Sequence, residues 1–420
     1  MQRLKQLGVT GAFIAVTTLF LGWGFIASNN DPLIVAMRAA FRLNYTEALM
    51  IQLVSFAANA LMSLPAASIG NRLGPVRAIL IALATMIVGC LLVGMGVKLA
   101  SYPAVLAALF VLALGITSLQ VAANPLAAAL GPVQTSHFRL NLAQAFNSLG
   151  VVLGVNYGAA VMLGDRVLAA GHEHIASTAE AAEVLLAVER AFCAMAAMLA
   201  GLAAFFWLQR RRIGLAAAQI ATVSGASVLE ALRSRWALLG ALAIACYVGA
   251  EVSIGSIMIA FLHQPGVLGV SLEAGGFYLA NFYWGGALAG RIAGSLLLTR
   301  VRAAPLLALC ATIATMLCLA AFAGLGALSG FAALGVGLFN SIMFPTIFSL
   351  TLERSGVSQS STSGLLVLAI SLGAAIPYLV ARLADQVGLS FAFAVPALAY
   401  AAILIFALRA ALAETPASAR

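Results

Sequence analysis

The chain has 420 residues, 63% of them hydrophobic and 8% charged, with a mean hydropathy of +1.07. No water-soluble domain of this length hides so much apolar side chain, which excludes soluble enzymes and soluble binding modules. The net charge of +9 is scattered over short loops and forms no polyanion-binding face, so no nucleic-acid partner is read.

Apolar runs recur at intervals of about thirty residues, the signature of a multi-span helical membrane protein. The runs are continuous rather than alternating, which selects helices over a barrel. Twelve spans are expected, over about 11–40, 46–70, 77–97, 102–130, 137–163, 188–209, 235–262, 273–298, 303–325, 328–352, 360–381 and 390–409. The first run is too long for a removable signal peptide, and no small-residue cleavage site stands clear of it.

Inside that first span the stretch FIASNNDPLIV (25–35) sets Asn29, Asn30 and Asp31 ahead of Pro32. Asp31 lies about twenty residues into the run, about 30 Å along a straight helix, and Pro32 is placed to bend it. An ionised aspartate at mid-bilayer costs about 2.5–3.5 kcal/mol on insertion scales. Asp31 is therefore read as a carboxylate that takes up and releases a proton as a cavity opens to either side; the plainer alternative is a marker of the outer membrane face.

The second span ends in GNRLGPVR (70–77). The fourth carries LQVAANP (119–125), in which Gln120 and Asn124 are four residues apart and share a helix face. In the fifth, Gln144 and Asn147 share a face three residues apart. The segment 164–187, with His172, Glu173, His174, Glu180 and Glu183, reads as a solvated outer loop with a short amphipathic helix. The stretch 210–234 opens with the run Arg210–Arg211–Arg212 and divides the chain into a six-span bundle at 1–209, a cytoplasmic linker at 210–234 and a second six-span bundle at 235–420. Those arginines serve as a topology anchor, with anionic lipid as the alternative ligand.

The seventh span holds Glu251, in YVGAEVSIGS, as a second coupling carboxylate or as an anchor for a bent helix. Asn281 and Trp284 lie three residues apart in the eighth span, and Asn340 lies in the tenth. Amides offer paired donors and acceptors to hydroxyls, and an aromatic face accepts an apolar C–H surface, so the set suits a sugar. Each amide taken alone also reads as interhelical glue. The five cysteines, all within expected spans, read as small buried apolar residues, and no metal site or cofactor is read.

With the N-terminus in the cytoplasm, 16 of the 22 Lys and Arg, Arg291 among them, fall on the cytoplasmic side; Arg38, Arg42, Lys98, Arg166, Arg190 and Arg382 remain outside. The positive-inside rule places both termini in the cytoplasm of a bacterial-type inner membrane. Internal correspondences pair LQVAANP with GLFNSIMFP (337–345) and Asp31 with Glu251. Two six-helix halves of this kind are the plan of the major facilitator transporters, whose substrate site lies near the midplane between the halves. GNRLGPVR resembles that superfamily's loop between its second and third helices, with Asn71 where an acidic residue is usual.

The runs NNDPLI, LNYTEALMIQ (43–52), LQVAANP, HFRLNLAQAFNSLG (137–150), YVGAEVSIGS, FYWGGALAGR (282–291) and GLFNSIMFPTIFSL (337–350) resemble, in order and along essentially the whole chain, the fucose–galactose–glucose symporter family. The resemblance implies proton coupling and sugar recognition at Asp31, following Asn30, and sugar contacts at Gln144 and Asn147. Fucose-type members carry a glutamate where this chain has Gln120, which cannot titrate; that difference tilts the implied substrate toward a glucose/galactose-type hexose. The implied protein is an all-α secondary transporter, not an enzyme, working as a monomer in the bilayer by alternating access with H+ symport. Sodium coupling, with Na+ near Asp31, is the alternative; a sugar-sensing or drug-efflux protein is the further one.

Overall fold

The computed structural model describes residues 2–43, 47, 50–163, 178–217 and 228–413, and every regular element among them is helical. The side chain of Asp31, the residues His172, Glu173 and His174, and Asn44–Thr46 of the LNYTEALMIQ run lie outside the described set. Among the described residues, eleven helices are long and apolar enough to cross a membrane. The remaining expected span, the eighth at 273–298, is a helical run in three pieces: α9 (Leu272–Tyr278), a π turn (Leu279–Trp284) and α10 (Gly285–Leu297).

Helix α1 (Gln2–Ala27) and helix α2 (Asn30–Phe41) make the first span, broken at Ser28 and Asn29. The carbonyls released by the break are satisfied locally. Asn29 turns its backbone N–H to Ile26 O at 3.2 Å, and its side-chain Nδ2 donates to Phe25 O at 2.6 Å in place of that N–H. Ser28 Oγ donates to the same carbonyl at 3.0 Å. Pro32 falls in the first turn of α2, where a backbone N–H has no helical partner to lose, so it bends the chain at little cost.

Helices α3 (Met50–Leu73), α4 (Pro75–Lys98), α5 (Tyr102–Ala129) and α6 (Ser136–Gly158) follow. Ser101 caps α5 by accepting from Ala104 N. Along α6, Gly150, Gly154 and Gly158 recur every four residues and meet Leu21, Phe25 and Asn29 in turn. A Cβ at Gly150 would collide with the Leu21 carbonyl oxygen, so the stripe lets two helix backbones touch, a usual device in lipid. Helix α7 (Thr178–Ala217) is 40 residues long. It absorbs the start of the expected linker and much of the expected loop, since Glu183 sits on an exposed helical face.

The second half comprises α8 (Arg235–His263), α9, α10, α11 (Ala303–Phe322), α12 (Ala327–Asn340), α13 (Met343–Arg354), α14 (Gln359–Gly373), α15 (Ala375–Val387), α16 (Leu389–Ala392) and α17 (Ala394–Leu412). The tenth span breaks between α12 and α13, directly after Asn340.

The chain forms two compact units, Met1–Leu130 with Phe146–Gly225 and Gly131–Ala145 with Ala226–Arg420. The first is packed around Phe20, Ile26, Leu33 and Phe192, the second around Phe261, Phe348, Phe393 and Ile403, all fully buried. Large apolar side chains also cover the outside, Leu61, Leu208, Leu398 and Leu412 among them. So many exposed leucines are a liability in water and the normal surface of a protein solvated by lipid. Cys90, Cys310 and Cys318 are buried as expected, whereas Cys246 is half-buried and Cys193 is exposed. An apolar thiol has no burial requirement where the solvent is hydrocarbon.

The glycine stripe sets a contrast that mutation reads directly. Gly150→Ala is expected to lower stability by about 1–3 kcal/mol through overpacking. Gly201→Ala, with nothing within 4 Å of the new Cβ, is expected to raise it by up to about 1 kcal/mol through helix propensity. Thermal unfolding of the detergent-solubilised protein checks both.

Candidate functional site

In the first unit the polar residues gather around the broken first span. Asn30 Nδ2 donates to Ser55 Oγ of α3 at 3.4 Å. Asn147 Nδ2 donates to the Phe20 carbonyl of α1 at 3.0 Å, and its own backbone lies against Gly24. Asn30 and Asn147 are thus held by different neighbours, Ser55 of α3 and the Phe20 carbonyl of α1. Asp31 occupies the first turn of α2, directly beyond the break. On α5, Asn124 is fully buried and Gln120, one turn earlier, is half-buried.

The second unit holds a connected polar network. Tyr247 Oη donates to Glu251 Oε1, one turn on along α8, at 2.6 Å. Tyr283, in the π turn, donates to the Glu251 backbone carbonyl at 3.2 Å. Asn340 Nδ2 donates to Tyr283 Oη at 3.2 Å and to Tyr400 Oη at 3.1 Å, which uses both amide hydrogens. Its Oδ1 is buried and has no hydrogen-bond donor among the described residues. Arg291 Nε donates to the Ser341 carbonyl at 3.0 Å, and an Arg291 terminal nitrogen stands 3.8 Å from Glu251 Oε1. The structure thus brings Glu251 and Asn340 together through Tyr283.

Asn281 and Trp284 behave differently. A π turn closes on the fifth residue rather than the fourth, so spacing of three no longer puts two side chains on one face. Asn281 spends its amide on Phe277 O, one turn back in its own helix, at 2.9 Å. Trp284 is 43% exposed, set edge-on to Tyr283 with ring centroids 5.0 Å apart, and lies over Gly255, one turn along α8 from Glu251.

A second polar seam in the same unit joins the start of α6 to α13. Ser136 Oγ donates to Glu353 Oε1 at 2.5 Å, and His137 places Nδ1 2.7 Å from Ser349 Oγ and Nε2 3.3 Å from Glu353 Oε2. Asn141 Nδ2 donates to Thr346 Oγ1 at 3.2 Å. Gln144 is buried further along this first part of α6 and so falls in the second unit, whereas Asn147 falls in the first. Among the described residues, no group of three or more His, Cys, Asp or Glu is placed to hold a metal ion.

Tyr247, Tyr283 and Tyr400 look like core in an apolar sequence run, and nothing in the sequence marks them as part of this network. Arg291 reads in the sequence as one of the charges that set orientation; the side chain is instead 15% exposed and turned inward onto Ser341. The available signal was an arginine inside a span, which lipid penalises unless it has partners.

The sequence matches the Major Facilitator Superfamily family description over residues 12–377. It is 38% identical over 400 residues to the glucose/galactose transporter of Brucella abortus biovar 1 (strain 9-941), covering 94% of this chain and 93% of that one. It is 30% identical over 417 residues to the L-fucose-proton symporter of Escherichia coli (strain K12), covering 94% and 92%. Among solved structures, the major facilitator transporter FucP in its outward conformation superposes with a TM-score of 0.84 at 25% identity, covering 97% of this chain and all of that one.

The network around Asn340 makes a specific demand on Tyr283. Interhelical hydrogen bonds in membranes average about 0.6 kcal/mol, but Tyr283→Phe strands a buried amide hydrogen, which raises the expected loss to about 1–3 kcal/mol. Thermal unfolding in detergent measures it, and Asn340→Leu combined with Tyr283→Phe is expected to cost less than the sum of the two single changes.

Proposed function

Because the chain belongs to the major facilitator superfamily of multi-pass membrane transporters, we propose that it imports a glucose/galactose-type hexose together with a proton, by alternating access. The relative named as a glucose/galactose transporter, alike along nearly the whole of both chains, carries this reading. Gln120 supports it, since an amide at this position pairs with a hydroxyl and carries no charge. The same reading sets the two halves as six-span bundles at 1–209 and 235–420 joined by a cytoplasmic linker, with both termini in the cytoplasm of a bacterial inner membrane and a single chain as the working unit.

Asp31 is the proposed proton carrier. Protonation from outside neutralises it and favours sugar binding; release of the proton inward accompanies release of the sugar. By linkage, sugar and proton raise each other's affinity. Glu251 accepts from Tyr247 and faces Arg291, so its charge has standing partners, and its proposed part is to hold α8 in register. Asn30, Gln120, Asn124, Gln144 and Asn147 are the proposed hydroxyl partners from the first six spans. Asn340, whose Oδ1 has no donor among the described residues, and Asn281 are the proposed partners from the last six. The exposed ring of Trp284 is the proposed platform for the C–H face of the sugar.

Uptake of labelled galactose and glucose into proteoliposomes under an imposed proton or sodium gradient tests the proposal. A proton gradient alone is expected to drive accumulation. Asp31→Asn is expected to abolish accumulation and leave sugar exchange, and Trp284→Ala to weaken half-saturation by about tenfold, the size of one good aromatic contact. Accumulation driven only by sodium would overturn the coupling chemistry. No hexose uptake under either gradient would overturn the substrate.

A further inference from the structure

The tenth span carries a defect whose repair comes from another helix. In a continuous helix the Ser341 carbonyl accepts from the N–H four residues on, but that residue is Pro345, which has none. The backbone remains nearly helical at the break, with φ −53° and ψ −42° at Ser341 and φ −90° and ψ −5° at Ile342. The carbonyl is therefore not freed by a change of conformation; it lacks only a donor. In lipid no water stands ready to supply one. Arg291 Nε donates to this carbonyl at 3.0 Å.

Helix α10 is built to bring it there. Gly290, the residue before Arg291, lies against the Leu338 carbonyl and the Ser341 side chain with no room for a Cβ, and Gly294 meets Ile342 in the same way. The Glu251 carboxylate, at 3.8 Å from the guanidinium, is beyond hydrogen-bond distance, whereas the contact to Ser341 is within it. Of these two, the carbonyl is the closer and more directional partner.

We propose that Arg291 is a positioning residue that supplies the donor missing at Pro345, and so fixes the break beside which Asn340 lies. The inference rests on the proposed function only for its sugar-binding readout. Arg291 and a backbone N–H at position 345 are then alternative donors for one carbonyl, and restoring the second makes the first dispensable.

A double-mutant cycle tests this in the full-length protein, in a Glu251→Gln background so that no buried carboxylate is left unpaired. Arg291→Met is expected to lower the melting temperature and to raise the galactose Kd by on the order of tenfold, the value of a hydrogen bond to a charged donor. Adding Pro345→Ala is expected to bring the melting temperature back to that of the Glu251→Gln background and the Kd to within about twofold of it, because coupled sites do not add. If Arg291→Met costs as much alongside Pro345→Ala as it does with Pro345 in place, the proposal is overturned. Arg291→Lys with and without Pro345→Ala, in the otherwise intact chain, gives the same comparison should the first background not fold. The melting temperature reports on the carbonyl even if galactose does not bind, in which case the substrate reading fails and this inference stands or falls by itself.

Discussion

Hydrocarbon offers no hydrogen bonds, so each backbone carbonyl that leaves the regular helical pattern must find a donor within the protein. This requirement organises both halves of the molecule. In the first span the break at Ser28–Asn29 is closed by its own side chains, with Asn29 Nδ2 and Ser28 Oγ both on the Phe25 carbonyl. In the tenth the donor comes from a neighbouring helix, as Arg291 on Ser341. Arg354 does the same at the end of α17, donating to the Ala410 carbonyl at 3.1 Å. Arginine suits the task because its guanidinium stays charged and carries five donors on a rigid plane.

Breaks satisfied in this way place polar groups where an unbroken helix would show only apolar surface. Asn30 and Asp31 follow immediately after the first break, and Asn340 immediately precedes the other. The amides are also fixed in direction: Asn147 by the Phe20 carbonyl, Asn340 by two tyrosine hydroxyls. A transporter that recognises a hydroxylated solute needs donors and acceptors already oriented, since ordering them on binding would subtract from affinity. Glycines at the crossing points allow this, because Gly150 and Gly290 let one helix backbone reach the polar edge of another.

Much of this was legible in the sequence, and the exceptions have physical causes. The twelve spans and the break near Asp31 follow from apolar length and from an Asn-Asn-Asp-Pro run that no straight lipid-facing helix tolerates. Glu251 and Asn340 stood out because charge and amide are costly in an apolar run. Their tyrosine partners did not, since a Tyr ring reads as core until its hydroxyl has a neighbour, and Tyr283 and Tyr400 meet Asn340 from 57 and 60 residues away. The π turn at Leu279–Trp284 left no periodic trace, so the shared face expected for Asn281 and Trp284 was drawn on the wrong helix geometry. Arg291 was sorted by its sign alone, because its inward turn depends on the close approach at Gly290 and on a proline 54 residues further along the chain.

In the proposed mechanism coupling joins these elements into one function: the carboxylate at the first break takes up the proton, the amides of both halves hold the sugar, and the two are of use together only if sugar and proton move together. The most direct measurement is the external pH of lightly buffered proteoliposomes, with the membrane potential clamped, as galactose or glucose is added. Proton symport predicts alkalinisation of the medium that tracks sugar entry and vanishes in Asp31→Asn. Entry of labelled sugar at unchanged pH through the intact protein would contradict it.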